Sequence, residues 1–376
     1  MLQVLPALET GGVERSAVDV AKALVAAGWR AVVVSRGGPM VRELERVGAK
    51  HIVLPVHSKN PWVMRRNVGA LLKIIRDERI DLVHARSRAP AWSARTAARR
   101  ANLPFVTTFH GTYNAGNPLK HWYNSIMAKG DRVIANSHFT AQHVLHVYRA
   151  DASRIVPIPR GVDVQRMDPA TVSADRMVRL STEWHLPDGV PVVMLPGRLT
   201  RWKGQRVLID AVARIVVERG REALVCLLVG DDQGRESYRA ELDAAIRRQG
   251  LDGVVRLVGH CRDMAAAYML ADVVVSASTD PEAFGRIAAE AQAMGRPIIA
   301  TDHGAATETV LQGRTGWLVP PGDSAALADA LETALSIDAA GRAELAATAR
   351  AHIVENFTVE RMCDATLAVY ADLLGL

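Results

Sequence analysis

The chain has 376 residues, 49% hydrophobic and 23% charged, with a formal net charge of +6. That length exceeds one ordinary core and suits two domains. No apolar run approaches the roughly 18 to 20 residues that span a bilayer, and the start Met1-Leu-Gln-Val-Leu-Pro6 carries no charged region ahead of its apolar residues, so a cytoplasmic protein is expected. Cys226, Cys261 and Cys363 match no metal spacing or disulfide framework and are expected as small core residues.

The charge is uneven: residues 1–170 carry 25 Lys and Arg against 12 Asp and Glu, a surplus of +13, which leaves −7 for residues 171–376. A basic half can meet nucleic acid, an anionic membrane or a phosphorylated acceptor. Nucleic acid ranks lowest, since no helix-turn-helix, RNA-binding sheet motif or zinc knuckle accompanies the charge.

In chain order, Gln3–Leu8 reads as a short strand, Glu9–Ser16 as a turn, Ala17–Ala27 as a helix closed by Gly28, and Ala31–Ser35 as a second strand. This is a βαβ pattern, for which a right-handed parallel crossover is expected. Gly11 and Gly12 lie in the first turn, where backbone without Cβ atoms can approach a phosphate or sugar; the pair fits an ordinary tight loop as well. Strand His51–Pro55, helix Val63–Arg79, strand Leu82–Ala85, helix Ala89–Arg100 and strand Phe105–Phe109 continue the alternation into a doubly wound first domain. His110 follows directly at the carboxyl edge of the sheet, where open α/β sheets bind ligands. It reads either as a hydrogen-bond donor to a substrate hydroxyl or as a satisfied structural histidine. The helix around Trp62–Arg66 and Leu71–Arg76 mixes apolar and basic residues. It suits a membrane-surface or anionic-acceptor face, or an amphipathic helix whose basic side is solvated.

Ile155–Asp163, with Pro157, Pro159 and Gly161, gives way to the polar stretch Gln165–Ser181, where the domain junction is placed. The second domain repeats the rhythm: strands at Val190–Leu195, Ala223–Val229, Val254–Leu257 and Val273–Ala277, helices at Gln205–Arg219, Ser237–Gln249 and Met264–Leu270, and a long helical run from about Ala325. In Pro196–Gly204 a strand end turns towards a helix with Arg198 and Lys203 across it. Two cations there suit a diphosphate, the Arg as a planar fork and the Lys as a point charge, although two exposed basic residues in a turn would look the same. After strand Val273–Ala277, the helix Ile287–Met294 begins near Gly285, so its first amides form an anion site. Glu282 and Glu290 bracket that corner. Both can face a sugar nucleotide, or Glu282 can be a favourable acid before a helix and Glu290 a solvated one.

Five features in this order, Gly11-Gly12, Ile158–Asp163, Gly197-Arg-Leu-x-x-x-Lys-Gly204, Glu282 with Phe284-Gly285 and Glu290, and Gly313–Asp323, resemble the retaining glycosyltransferases of the GT-B fold, family 4. The likeness covers nearly the whole chain. It implies an α/β fold of two Rossmann-like doubly wound domains facing each other across a cleft. The acceptor-side domain would span residues 1–165, the nucleotide-sugar domain 182–356, and a last helix from about 357 to 376 would pack back on the first. It further implies that Arg198 and Lys203 hold the donor diphosphate, helped by amides at Phe284, Gly285, Arg286, Ile287 and Ala288. Glu282 would bind hydroxyls of the transferred sugar, Glu290 the ribose diol, and His110 the sugar from the opposite wall, with the Gly11-Gly12 backbone near the phosphate or acceptor. Backbone near His260 would meet the base. No cofactor or metal is expected, the cations and helix dipole standing in for one. His303-Gly-Ala-Ala306 departs from the paired glycines of many relatives.

The function expected from this resemblance is retaining transfer of a hexose from a nucleoside-diphosphate sugar, with UDP the first choice. The acceptor is a glycan or lipid-linked molecule of envelope or lipopolysaccharide biosynthesis, with peripheral contact to the inner face of an anionic membrane. The competing readings are a soluble transferase acting on a small-molecule acceptor and a non-catalytic sugar-nucleotide-binding subunit. A nucleotide-sugar epimerase is disfavoured by the spacing of Glu282 and Glu290.

Overall fold

The computed structural model describes residues 1–376 apart from Thr10 and Glu222. Among the described residues the apolar runs of the sequence form thirteen strands whose residues are mostly buried on both faces, the mark of parallel sheets covered by helices. They divide into two units, Met1–Gly161 with Val359–Leu376, and Val162–Thr358.

The first unit holds a seven-stranded parallel sheet built from β1 (Leu2–Val4), β2 (Val32–Ser35), β3 (Lys50–Val53), β4 (Val83–Ala85), β5 (Phe105–Phe109), β6 (Arg132–Ala135) and β7 (Ile155–Pro157), in the order β3-β2-β1-β4-β5-β6-β7. The order reverses between β1 and β4, so the loops after these two strands part and leave a crevice at the carboxyl edge. β1 is shorter than the sequence suggests, because Pro6 has no N–H to continue the ladder. The first helix starts five residues earlier than expected, at Gly12 (Gly12–Ala26), with Gly11 as an N-cap that offers no side chain. Side chains from Gly12–Ala26 and from the last helix, Val359–Leu374, fill one face of the sheet. The helices Pro61–Asp77 and Arg88–Arg100 fill the other.

The second unit holds a six-stranded parallel sheet, β8 (Val192–Pro196), β9 (Val225–Val229), β10 (Val255–Gly259), β11 (Val273–Ser276), β12 (Ile298–Thr301) and β13 (Trp317–Val319), in the order β10-β9-β8-β11-β12-β13. Here the order reverses between β8 and β11. Two apolar cores cover its faces.

The dividing points differ from 165 and 182. Residues 162–181 belong with the second unit, since the Val162 amide donates to the Phe357 carbonyl, and Met167 and Leu180 join the core beside Trp184. The helix Ala174–Glu183 lies in a stretch that shows no strong period in the sequence. The terminal helical run is three helices, Ser324–Ser336, Ala339–Asn356 and Val359–Leu374. Ile337 turns extended, and Asp338 caps the second by accepting from the Gly341 amide. Among the described residues no helix is long and apolar enough to cross a membrane.

Candidate functional site

In the second unit the loops after β8 and β11 meet at the topological reversal. Gly197 follows β8 with φ of 144°, and a Cβ there would lie 3.6 Å from Ile287 Cδ1 and 3.7 Å from Lys203 Cδ. The turn therefore lays Lys203 along the start of the Arg286–Ala293 helix. Gly204, at φ 74°, lets the Lys203 turn sit on the backbone of Ala277, where any Cβ would collide with a carbonyl oxygen. The Thr279 amide donates to the Trp202 carbonyl at 2.7 Å, tying the two loops together.

Within this corner Lys203 Nζ donates to Glu282 Oε1 at 2.6 Å, with side-chain exposures of only 11% and 13%. Ser278 Oγ donates to the same carboxylate oxygen. Two groups assigned separately to diphosphate and sugar thus form one ion pair, a pairing that leaves no local mark in the chain because the partners lie 79 residues apart. Gly304, φ 63°, brings the loop after β12 against the backbone of Glu282, and the Ala305 amide donates to the Glu282 carbonyl at 2.9 Å. His303, beside it, has both ring nitrogens buried with no partner among the described residues. The departure His303–Ala306 therefore keeps the one glycine that the close approach needs.

Gly285, φ 75°, is the N-cap of the Arg286–Ala293 helix. The amides of Ile287 and Ala288, in the first turn, precede the first intrahelical donor, the Ala289 amide bonding the Gly285 carbonyl. Phe284 turns its ring into the core, 6.1 Å from Phe357, so only its backbone is left to serve a ligand. Glu290 lies in the second turn. Its carboxylate accepts from Tyr268 Oη at 3.0 Å and from Arg286 Nε at 3.1 Å. Burial, then the charge of Glu290, pushes the Tyr268 phenol well above its ordinary pKa, so it stays a donor. Tyr268 escaped the sequence reading because its partner is on another helix. The Arg198 side chain is exposed at the end of β8, while its carbonyl accepts from Gln205 Nε2 at 2.9 Å. His260 is exposed after β10, two strands from β8 and so about 10 Å away. The array offers cations and helix-start amides at the carboxyl edge of the sheet, an arrangement that suits an anionic ligand.

In the first unit His110 directly follows β5. Its Nδ1 is 3.2 Å from Arg160 Nη2. A guanidinium only donates, so Nδ1 accepts and the ring proton sits on Nε2. Burial, then Arg160, Arg86 and His84, hold His110 well below its ordinary pKa, which keeps it neutral. Nε2 is buried with no partner among the described residues, a donor available to a ligand. Arg160 also donates to the Gly12 carbonyl, and its guanidinium occupies the space that a Gly12 Cβ would need; at Gly11 a Cβ would meet the Glu14 carboxylate. The glycine pair thus admits side chains of this same unit. His84 is structural: Nδ1 lies 2.6 Å from Tyr370 Oη and Nε2 2.7 Å from Thr108 Oγ1. Arg86, buried, donates to Gln3 and Ser16.

Two family models match the chain, Glycosyltransferase Family 4 over residues 10–166 and Glycosyl transferases group 1 over residues 190–336. The D-inositol 3-phosphate glycosyltransferase of Xylanimonas cellulosilytica is 31% identical over 77% of this chain and 72% of its own length. A glycosyltransferase crystal structure from Rickettsia africae superposes with a TM-score of 0.92 at 38% identity, covering 99% of this chain and 98% of that one. Anabaena HepE in complex with UDP-glucose superposes at 0.84 with 25% identity, covering 99% of both.

Proposed function

The chain belongs to glycosyltransferase family 4 and is a glycosyltransferase, and from that premise we propose that it moves a hexose from a nucleoside-diphosphate sugar, a UDP-sugar, to a hydroxyl of its acceptor with retention of anomeric configuration. The observation that carries this reading is the cluster at the β8/β11 reversal: Arg198, Lys203, the first amides of the Arg286–Ala293 helix, Glu282 and Glu290 converge on one sheet edge. Arg198 and Lys203 bind the diphosphate and, with the helix amides, stabilise the charge that grows on it as the sugar–phosphate bond breaks. The acceptor oxygen bonds to the anomeric carbon from the face that the phosphate leaves, and its proton passes to the departing phosphate oxygen. Glu282 holds hydroxyls of the sugar, Glu290 the ribose diol, and backbone at His260 the base. In the first unit the His110 Nε2–H donates to a substrate hydroxyl, and Gly11-Gly12 shape the carboxyl edge of that unit's own sheet. No metal enters this scheme.

For the acceptor, the curated relative named for D-inositol 3-phosphate supports a small molecule. A lipid-linked acceptor of envelope glycan synthesis, met at an anionic membrane from the cytoplasmic side, is the second reading. It is favoured by the basic surplus of residues 1–170 and by the exposed Trp62, Leu119 and Trp122, at 79%, 73% and 55%.

The test is UDP release from UDP-hexoses with inositol phosphates or lipid-linked saccharides offered as acceptors, with and without EDTA, and the product's anomeric configuration read by proton NMR. The reading expects acceptor-dependent, chelator-insensitive release and an axial donor giving an axial product. Inversion, or release abolished by EDTA and restored by a divalent ion, contradicts it.

A further inference from the structure

The first unit contains a cavity of about 420 Å³ that the transfer scheme leaves unused. It lies at the β1/β4 reversal, between Pro6 after β1 and Ser87 and Arg88 after β4, and is bounded by Lys59 from the loop after β3 and by Lys120, Tyr123 and Asn124 from the short helix Pro118–Asn124 after β5. Its size falls in the range of small-molecule sites, about 300 to 1,000 Å³.

The lining contains Lys59, Arg88 and Lys120 and no Asp or Glu. No carboxylate lies within 4 Å of these three cations among the described residues, although ion pairs engage many other basic side chains of the unit. Arg88 is held by neutral groups. Its Nη1 donates to Asn124 Oδ1 at 2.9 Å and its guanidinium lies over the Tyr113 ring, 4.3 Å from its centre, a cation–π contact that supplies no formal negative charge. Asn124, itself buried, is fixed by donating to the Asn114 carbonyl at 3.1 Å. Tyr123 Oη is buried and has no partner among the described residues. Burial raises the Tyr123 pKa against the pull of Arg88, so the phenol is a donor. Ser87 is the N-cap of the Arg88–Arg100 helix, and its hydroxyl makes no capping bond. The formally charged side chains of the lining are therefore all cations, joined by the neutral donor Tyr123 and the hydroxyl of Ser87.

The geometry points to a phosphate subsite here: Lys59, Arg88 and Lys120 hold a phosphate monoester carried by the acceptor, with Tyr123 and Ser87 as neutral donors. Arg88 supplies a planar fork and the lysines supply mobile point charges, the pairing suited to a tetrahedral dianion. The inference rests on the transferase reading above and narrows its acceptor to phosphorylated molecules. The same chemistry is offered by a soluble sugar or polyol phosphate and by a phosphomonoester lipid headgroup. Lys59 is three residues before exposed Trp62, and Lys120 stands between exposed Leu119 and Trp122, so the cavity mouth suits either source.

The test compares wild type with Lys59→Ala/Lys120→Ala, both exposed positions. With UDP saturating, inorganic phosphate is titrated by calorimetry, followed by glucose 6-phosphate and, separately, by phosphatidylcholine vesicles with and without phosphatidic acid. UDP binding is measured first in both proteins and reports on the donor reading alone. The expected result is phosphate binding weakened about tenfold or more in the variant, with UDP affinity unchanged. Lysine-dependent binding of glucose 6-phosphate assigns the soluble source, and lysine-dependent binding of phosphatidic acid vesicles assigns the lipid. If the variant binds phosphate as wild type does, or if wild type binds none of the three probes, the subsite is refuted even where UDP binds normally.

Discussion

Lys203 and Glu282 set the behaviour of the candidate donor site, because each compensates the other in a part-buried corner. Removing one partner of such a pair costs more than removing both, since a charge is stranded. Lys203→Ala is expected to destabilise the second unit by about 3 kcal/mol and to abolish UDP binding. Glu282→Gln keeps the shape and frees the ammonium, so UDP affinity holds or rises while turnover falls. Calorimetry alongside turnover separates the two, and equal losses of affinity in both variants would contradict the division of roles. His110 offers a second residue-level test. With Nδ1 occupied by Arg160 and Nε2–H available, His110→Ala is expected to lower turnover by about 10² to 10³, the cost of one well-placed donor, with UDP affinity retained. A variant that keeps wild-type turnover would reduce His110 to a structural role.

At the scale of elements, two glycines in the same corner are required for different reasons. Gly204 has φ 74° and its missing Cβ position is filled by the Ala277 backbone, whereas Gly285 has φ 75° and nothing nearer than 4.0 Å. Gly285→Ala pays only for the left-handed conformation, about 1 kcal/mol. Gly204→Ala must also push the two loops apart, and is expected to lower stability by at least about twice as much and to displace Lys203. Urea titrations of the two variants check the order, and a Gly285→Ala as damaging as Gly204→Ala would contradict it. The same elements show what a sequence can reveal. Buried parallel strands read directly from runs such as Val273–Ser276, because both faces are apolar. The start of the Gly12–Ala26 helix did not, since its N-cap is a glycine without a capping side chain. The break at Ile337 is marked in the sequence only by the cap former Asp338, in a run otherwise rich in alanine. The charged residues of the candidate donor corner stood out by type and place, but not their pairing. Lys203 with Glu282, Tyr268 with Glu290 and Arg160 with His110 join residues far apart in the chain.

Across the whole molecule, the last helix returns to the first unit and seals a polar core. Tyr370 bonds His84, and Met362, Cys363 and Val369 pack with the Gly12–Ala26 helix residues. Both His84 and His110 are held well below their ordinary pKa, chiefly by burial and then by nearby cations. The unfolded chain therefore binds more protons than the folded one below about pH 6.5. Stability is fully present above that pH and falls on acidification, with a limiting slope of about 1.4 kcal/mol per pH unit for each histidine. Urea titrations at pH 7.5 and 5.5 are expected to show lower stability at the acid value, and higher stability there would contradict the neutral assignment. Two domains are expected from the length and the repeated strand–helix rhythm, and the return of the last helix from the resemblance. The polar core that fixes that helix was not legible, because it joins β4, β5 and the chain end.

The most direct test of the account is thermal stabilisation of the protein by UDP-, GDP- and ADP-sugars, repeated on Lys203→Ala and Glu290→Ala, since a ligand at 100 times its Kd adds about 2.7 kcal/mol to the folded state. The account predicts that UDP-sugars raise the melting temperature of wild type and that both variants lose the shift. A wild type indifferent to every nucleotide sugar, or variants that keep the full shift, would contradict the placement of the donor at the β8/β11 corner.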